Sequence, residues 1–358
     1  MRPVYLLGAF VPIAFVLDLA DASPVVVFAT SAVAIVPAAA VMSEATEELA
    51  ARSGPGIGGL VNVTFGNAPE LIIAIFALAD GLQEVVKASL VGSILGNCLL
   101  VLGAAMLAGG HGRERQTFGR TAAQTQAGML LVTVAALVLP SVLPLARHSG
   151  LPAVSQLRHT YGSDLEAVSF AVAIVLIATY LAGLAFSLRT HRDLFNPRGQ
   201  EPPADTWSAR RSVAVLAASG AVVAGMSEIL VGSIEHAARD IGVSQFFLGA
   251  FVVAIVGNAA EHYVAVVAAV KDKMDLAVNI ALGSSAQIGL FVAPILILLS
   301  FFVGPFPMAA VFNPYEIAGL LAAGLVTSAV VADGESTWFE GVQLLALYAV
   351  IGIVFYVA

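Results

Sequence analysis

The pentapeptide Gly66-Asn67-Ala68-Pro69-Glu70 lies inside an apolar run from Ile57 to Leu78, and Gly257-Asn258-Ala259-Ala260-Glu261 lies inside another from Phe246 to Val270. The two copies are offset by 191 residues, position 66 falling on position 257. A carboxylate in the middle of a membrane-spanning segment costs about 2.5–3.5 kcal/mol on insertion scales. A lone glutamate there is commonly explained by one structural hydrogen bond to a neighbouring helix. Two of them, each with Gly and Asn in the same register, point to acids kept for their chemistry.

On a helix, residues three or four apart share a face. Asn67 and Glu70 therefore point the same way, with Gly66 one turn below Glu70, and Asn258, Glu261 and Gly257 repeat the arrangement. Glycine there lets an ion or another helix approach the backbone. In a continuous helix Pro69 would leave the Phe65 carbonyl without its usual partner, free to face a cation in a protein-lined cavity; the second copy has Ala260 instead. The adjoining helices offer Ser93 and Asn97 in one half, Ser284 and Gln287 in the other, with Asn97 one position out of register with Gln287. Gly92, Gly96 and Gly283 read as helix-packing residues.

The donor set is two carboxylates, two Asn amides, hydroxyls and carbonyls, with no thiol and one nearby imidazole, His262, about 100° around the helix from Glu261. Oxygen-only ligation suits a hard cation such as calcium. With both glutamates ionised and empty, such a centre carries two negative charges in low dielectric, a costly state. One divalent cation neutralises it, and so do two protons, since burial favours the neutral carboxyl. A centre that reorients only when neutral exchanges cation for protons, two at minimum per divalent ion. No resident cofactor is expected; Ca2+ and H+ are the transported partners.

The elements that must position these residues are membrane helices. The chain has 358 residues, 59% hydrophobic and 11% charged, with mean hydropathy +0.93, against about 25% charged in soluble domains. The net charge of −8 is spread over many loops, and no basic stripe suggests nucleic acid, so none is expected as a partner. The single cysteine, Cys98, excludes an intrachain disulfide. His111, His148, His159 and His191 fall in polar connections. Apolar runs long enough to span a bilayer cover 4–20, 25–50, 56–79, 85–109, 121–146, 165–189, 209–238, 244–270, 274–303, 312–332 and 337–357, eleven in all. Arg2, an apolar stretch and Ala20-Asp21-Ala22 also resemble a signal peptide; a retained first helix is the expectation preferred here.

Arg2, Arg52, Arg113, Arg115, Arg120, Arg189, Arg192, Arg198, Arg210, Arg211, Lys271 and Lys273 fall on one side of this alternation; Lys87, Arg147, Arg158 and Arg239 fall on the other. Twelve against four, of 16 in total, puts the N-terminus in the cytoplasm and the C-terminus outside a cell (inner) membrane. The offset of 191 also takes Gly92-Ser93 onto Gly283-Ser284. The motif helices are the third and eighth, an odd number of crossings apart, so the second copy enters from the opposite side. The expected architecture is all-α: 1–24 an extra N-terminal helix, 25–190 one five-helix repeat, 191–207 a cytoplasmic linker, and 208–358 an inverted five-helix repeat. Among other acids, Glu44 and Glu228 are candidate vestibule residues, Glu47, Glu48 and Glu235 wetted helix ends, and Glu316 suits the N-terminus of the tenth helix.

GNAPELIIAIFAL, with GNAAEHYVAVVAAVKDKMDLAVNIALGSSAQIGLFVAP and the C-terminal DGESTWFEG, resembles the calcium/cation–proton exchangers (CAX-type) of the calcium:cation antiporter superfamily. The related sodium/calcium exchangers carry different repeat motifs. The resemblance implies an eleven-helix antiporter with Glu70 and Glu261 as cation- and proton-binding acids. Asn67, Asn258 and carbonyls near Gly66 and Gly257 would assist, with Ser93, Asn97, Ser284 and Gln287 around them. The second and seventh helices would gate access. Members commonly carry an acidic segment between the halves; here it is reduced to Asp193, Glu201 and Asp205 among arginines. The expected function is calcium export against protons, not an enzymatic activity. The alternative substrates are Na+, K+ or Mn2+, and a homo-oligomer is compatible with the chain. An intramembrane hydrolase is disfavoured because an acid–base pair needs unlike environments, and a channel because two acids suit binding over conduction.

Overall fold

The computed structural model describes residues 2–147, 150–154, 162–187 and 207–358. Most of the 191–207 linker, with Asp193, Glu201 and Asp205, lies outside the described residues, as do His148, His159, His191 and Arg158. The apolar helices are α1 (Leu6–Leu19), α2 (Pro24–Ser53), α3 (Ala68–Ala79), α4 (Gln83–Gly110), α5 (Arg120–Ala146), α6 (Asp164–Ala185), α7 (Ala209–Ile241), α8 (Gln245–Val270), α9 (Met274–Leu299), α10 (Pro314–Val330) and α11 (Trp338–Val357). Eight of these are long and apolar enough to cross a membrane, and α1, α3 and α10 are shorter.

Helical backbone continues past α2 as far as Gly66, yet it is not straight. A Cβ at Gly58 would fall on the backbone carbonyl of Ala50, eight residues back, which a straight helix holds about 12 Å away. The chain therefore doubles back between these positions, where the apolar runs 25–50 and 56–79 meet. The next interruption was not expected. Asn67, at φ −97° and ψ 21°, ends that helical stretch and begins α3, so the continuous helix over 56–79 is corrected to two pieces. Pro69 consequently sits in the first turn of α3, where a missing N–H is harmless. The Phe65 carbonyl is not free either, because it accepts the Asn67 N–H. The second copy, with Ala260, lies wholly within the regular part of α8, Ala254–Val270.

Wider π turns interrupt α4 at Gly96–Val101, α8 at Leu248–Val253 and α9 at Ile288–Val292. Helix α4 is 83% buried over its most apolar window and α9 67%, whereas α6 is only 22% buried. The most enclosed helices are thus the two that carry the serines and amides of the motif. Helices α2 and α7 pack together along their lengths over a small separate core of Ala38, Met42, Ala45, Ala68, Leu216 and Val223.

Connections meet at two ends. At one, a short antiparallel ladder joins Gln116–Thr117, after α4, to Glu335–Ser336, before α11. Arg113 there reaches the carbonyls of Ala269 and Val270, and the Gly119 N–H donates to Asp275. Arg52 and Glu48 hold the backbone of Trp207 at the end of α2. We call this the capped end.

At the opposite end, the segment 306–313 is non-helical and largely buried. Non-helical backbone at membrane depth needs protein partners for its polar groups, and side chains supply them. Gln83 donates to the Phe306 carbonyl at 2.6 Å and Lys87 to the Val311 carbonyl at 2.7 Å. Ser300, Ser169 and Ser141 accept from the Met308, Ala310 and Phe312 N–H groups. Asn313 and Glu316 then form a reciprocal cap that starts α10.

Lys87 is therefore not the loop charge counted from the sequence. It is 3% exposed and paired with Glu84, also 3% exposed. Removing one partner of a buried pair strands the other charge and costs about 3–5 kcal/mol. Lys87→Met is expected to lower the melting temperature of the detergent-solubilised protein, and Glu84→Gln/Lys87→Met to recover part of the loss. An unchanged melting temperature for Lys87→Met contradicts this role.

Candidate cation site

Residues from α3, α4, α8 and α9 close into one polar network. Asn67 donates through Nδ2 to Gln287 Oε1 at 2.8 Å and accepts from Ser284 Oγ at 3.3 Å. Asn258 Nδ2 donates to Ser93 Oγ at 2.9 Å and to the Ala254 carbonyl at 2.8 Å. Asn97 ties the two groups together, its Nδ2 lying 3.1 Å from Ser284 Oγ and 3.5 Å from Asn258 Oδ1. Under the offset of 191, the pair Asn67–Ser284 is the counterpart of Asn258–Ser93. Each half lends its asparagine to the serine of the other.

The carboxyls follow the same reciprocity. A Cβ at Gly257 would lie 3.1 Å from Cγ of Glu70, and a Cβ at Gly66 would lie 3.9 Å from Oε1 of Glu261. Each glutamate thus faces the motif glycine of the other copy. Each acid is therefore packed against the segment that carries the other. Glu70 Oε2, Glu261 Oε2 and Asn97 Oδ1 are buried atoms without a hydrogen-bond partner. A buried acceptor lacking a donor is expensive, and an oxygen-seeking cation or a proton relieves it. Among the described residues no cluster of three His, Cys, Asp or Glu side chains is present, so a metal would be shared between these two acids and neutral oxygens.

The acids are held differently. Glu70 stands in the first turn of α3, at a helix end that favours negative charge. Glu261 sits in the regular part of α8, and Ser284 lines the same cavity beside it. Access differs as well. A cavity of ≈ 250 Å³ leads from Glu261, Ser284, Gln287 and Gly66 past Asn279 to Glu47, Asn62 and Leu276, towards the capped end. The space beside Glu70, Ser89 and Ser93 is only ≈ 10 Å³, about one water.

All ten motif residues named from the sequence as ion-binding belong to this network or its walls: Gly66, Asn67, Glu70, Ser93, Asn97, Gly257, Asn258, Glu261, Ser284 and Gln287. The two candidate vestibule acids do not join it. Glu44 accepts the Tyr5 hydroxyl, and Glu228 is exposed on α7. The acid lining the cavity is instead Glu47, one turn beyond Ser43, which lines it too; that spacing was the available signal. Asn62 and Asn279 were also missed. Asn279 is one turn from Leu276 on the cavity face of α9. His262 turns towards Gly96 with a buried, unpartnered Nε2. Gly92 is a close-packing position, since a Cβ there would strike the Ala250 carbonyl.

Known proteins resemble this chain over nearly its whole length. Residues 23–189 and 211–357 match the sodium/calcium exchanger protein family. The chain is 41% identical over 369 residues to a Ca(2+)/H(+) antiporter of Synechocystis sp., covering 97% of this chain and 95% of that one. It is likewise 41% identical over 355 residues to the Ca(2+)/H(+) antiporter ChaA of Bacillus subtilis, covering 98% and 97%. The structure of native YfkE superposes with a TM-score of 0.84 at 38% identity, over 99% of this chain and 98% of that one. The repeated motif, the full-length relatives and the shared fold agree: this chain is a member of the sodium/calcium exchanger protein family.

Proposed function

We propose that the protein is a Ca2+/H+ antiporter that exports calcium from the cytoplasm, with Glu70 and Glu261 binding either the cation or protons. The observation that carries this reading is the reciprocal placement of the two acids, each with an unpartnered buried oxygen, in one network of amides and hydroxyls. Full-length relatives named as Ca2+/H+ antiporters support the choice of substrate. Calcium prefers six to eight oxygens, and the carboxylates, amide oxygens and serine hydroxyls offer them.

In this reading all eleven apolar helices cross the inner membrane. Residues 1–24 precede two five-helix repeats, 25–190 and 208–358, of opposite orientation, joined by a cytoplasmic linker at 191–207. The N-terminus and the capped end face the cytoplasm, and the C-terminus lies outside. Calcium arrives through the cavity lined by Glu47 and displaces protons from Glu261 and Glu70. The neutral, loaded site then closes at the capped end and opens beside Glu70. Helices α2 and α7, packed on each other over their small separate core, are the elements free to slide. Outside, two protons replace the calcium and the neutral site returns.

Purified protein in liposomes with an internal pH dye is expected to show proton flux on calcium addition, absent in Glu70→Gln and in Glu261→Gln. Flux elicited by Na+, K+ or Mn2+ but not by calcium would reassign the substrate; normal flux in both variants would remove the acids from the mechanism. The glycines give a graded test. The Gly257 position is tight against Glu70 and the Gly66 position has ordinary clearance from Glu261. Gly257→Ala is expected to slow exchange about tenfold or more, as misplacing a reacting group does, while Gly66→Ala stays within about threefold. Equal effects contradict the packing argument.

A further inference from the structure

The cavity wall on α9 carries a polar group that the exchange chemistry above leaves unused. Leu276, Asn279, Ile280, Ser284 and Gln287 recur at helical spacing along that wall. Asn279 is half-buried, and its Oδ1 accepts from Nε2 of Gln126 on α5 at 2.8 Å. Gln126 is 7% exposed, and its own Oε1 is buried without a partner.

A carboxamide has an oxygen that accepts and an NH2 that donates, nearly equal in shape. Two amides joined by one hydrogen bond therefore have two arrangements of the same outline. In the arrangement present, Gln126 donates to the Asn279 oxygen, which leaves the NH2 as the free amide group of a residue that lines the cavity. With both amides turned over, Asn279 donates to Gln126 Oε1 and presents its oxygen to the cavity. Each arrangement leaves one buried amide group of Gln126 unbonded, so polar satisfaction locks neither. A cation in a cavity that also holds Glu47 and Glu261 repels an NH2 and attracts an amide oxygen.

We propose that Asn279 is an ion-contacting residue on the path to Glu261, and that Gln126 is the positioning residue against which its amide turns from NH2-outward to oxygen-outward when a cation arrives. This deepens the exchange reading and rests on it.

The test is calcium-driven proton flux by the full chain in liposomes, with calcium varied on the cavity side. Asn279→Ala is expected to raise the KM for calcium about fivefold with kcat within about twofold, the scale of one lost polar contact. Gln126→Met removes both the donor that holds Asn279 NH2-outward and the acceptor that would hold it oxygen-outward, and is expected to raise KM by less than Asn279→Ala does. In the double variant, KM should equal that of Asn279→Ala, because Gln126 acts only through Asn279. A KM for Asn279→Ala within twofold of wild type overturns the proposal, and so does a Gln126→Met effect that persists in the double variant. Should Gln126→Met fail to reach the membrane folded, Asn279→Ala decides alone. Wild-type protein giving no calcium-driven proton flux overturns the exchange reading together with this inference; wild-type flux with an unmoved Asn279→Ala overturns the inference alone.

Discussion

Two carboxyls held in the same enclosed network repel each other when both are ionised, and in low dielectric that repulsion is severe. The rest of the structure can be understood as an answer to it. The acids are brought together by the most enclosed helices of the bundle, α4 and α9, whose serines and amides hydrogen-bond to the opposite motif. The asparagines spend their donors on neighbouring oxygens: Asn67 on Gln287, Asn97 on Ser284 and Asn258, and Asn258 on Ser93 and the Ala254 carbonyl. The remaining unpartnered oxygens are left for something mobile and positively charged. A lysine in the same place would have satisfied the acids permanently. The chain does carry such a buried lysine, Lys87, but sets it beside Glu84 at the far end, where its work is to hold the non-helical segment 306–313.

Near-symmetry makes the centre and a single residue breaks it. Asn67 with Ser284, and Asn258 with Ser93, are related by the same offset as the two glutamates. Pro69 has no equivalent in the second copy, where Ala260 stands. Because proline cannot donate within a helix, the first copy divides at Asn67 and Glu70 gains a helix N-terminus, while Glu261 stays in the regular part of α8 beside Ser284. The inequality is matched by access: ≈ 250 Å³ leads to Glu261 and ≈ 10 Å³ lies beside Glu70. A site that is open to one side only is what alternating access requires of a single snapshot.

Much of this was legible in the sequence because its signals are strong. An acid inside an apolar run is rare, and the same acid with the same neighbours 191 residues later is rarer, so both motifs and their partner helices could be named from spacing. What spacing could not convey was local backbone geometry. The division at Asn67 was missed because a proline in an apolar run reads equally as a kink or as a first-turn residue. Asn97 lies within the π turn of α4, and Gln287 directly precedes that of α9; a count at 100° per residue does not hold there, and Asn97, one position out of register by the offset, still bonds to both Asn258 and Ser284. Lys87 resembled a loop charge because a partner three residues away and a carbonyl 224 residues away leave no mark on hydropathy. Glu47 stands one turn beyond Ser43, but that spacing does not say which helix face meets the cavity; the Tyr5 hydroxyl on Glu44 and the cavity beside Ser43 and Glu47 do.

The central claim is that one cation replaces the protons of two acids. The most direct measurement is proton release on calcium binding, followed with a pH electrode in weakly buffered detergent solution at a pH where both carboxyls are protonated. The account expects two protons per calcium bound, one from each carboxyl, and none from the Glu70→Gln/Glu261→Gln protein. Calcium binding that releases no protons, or the same release from that double variant, would contradict it.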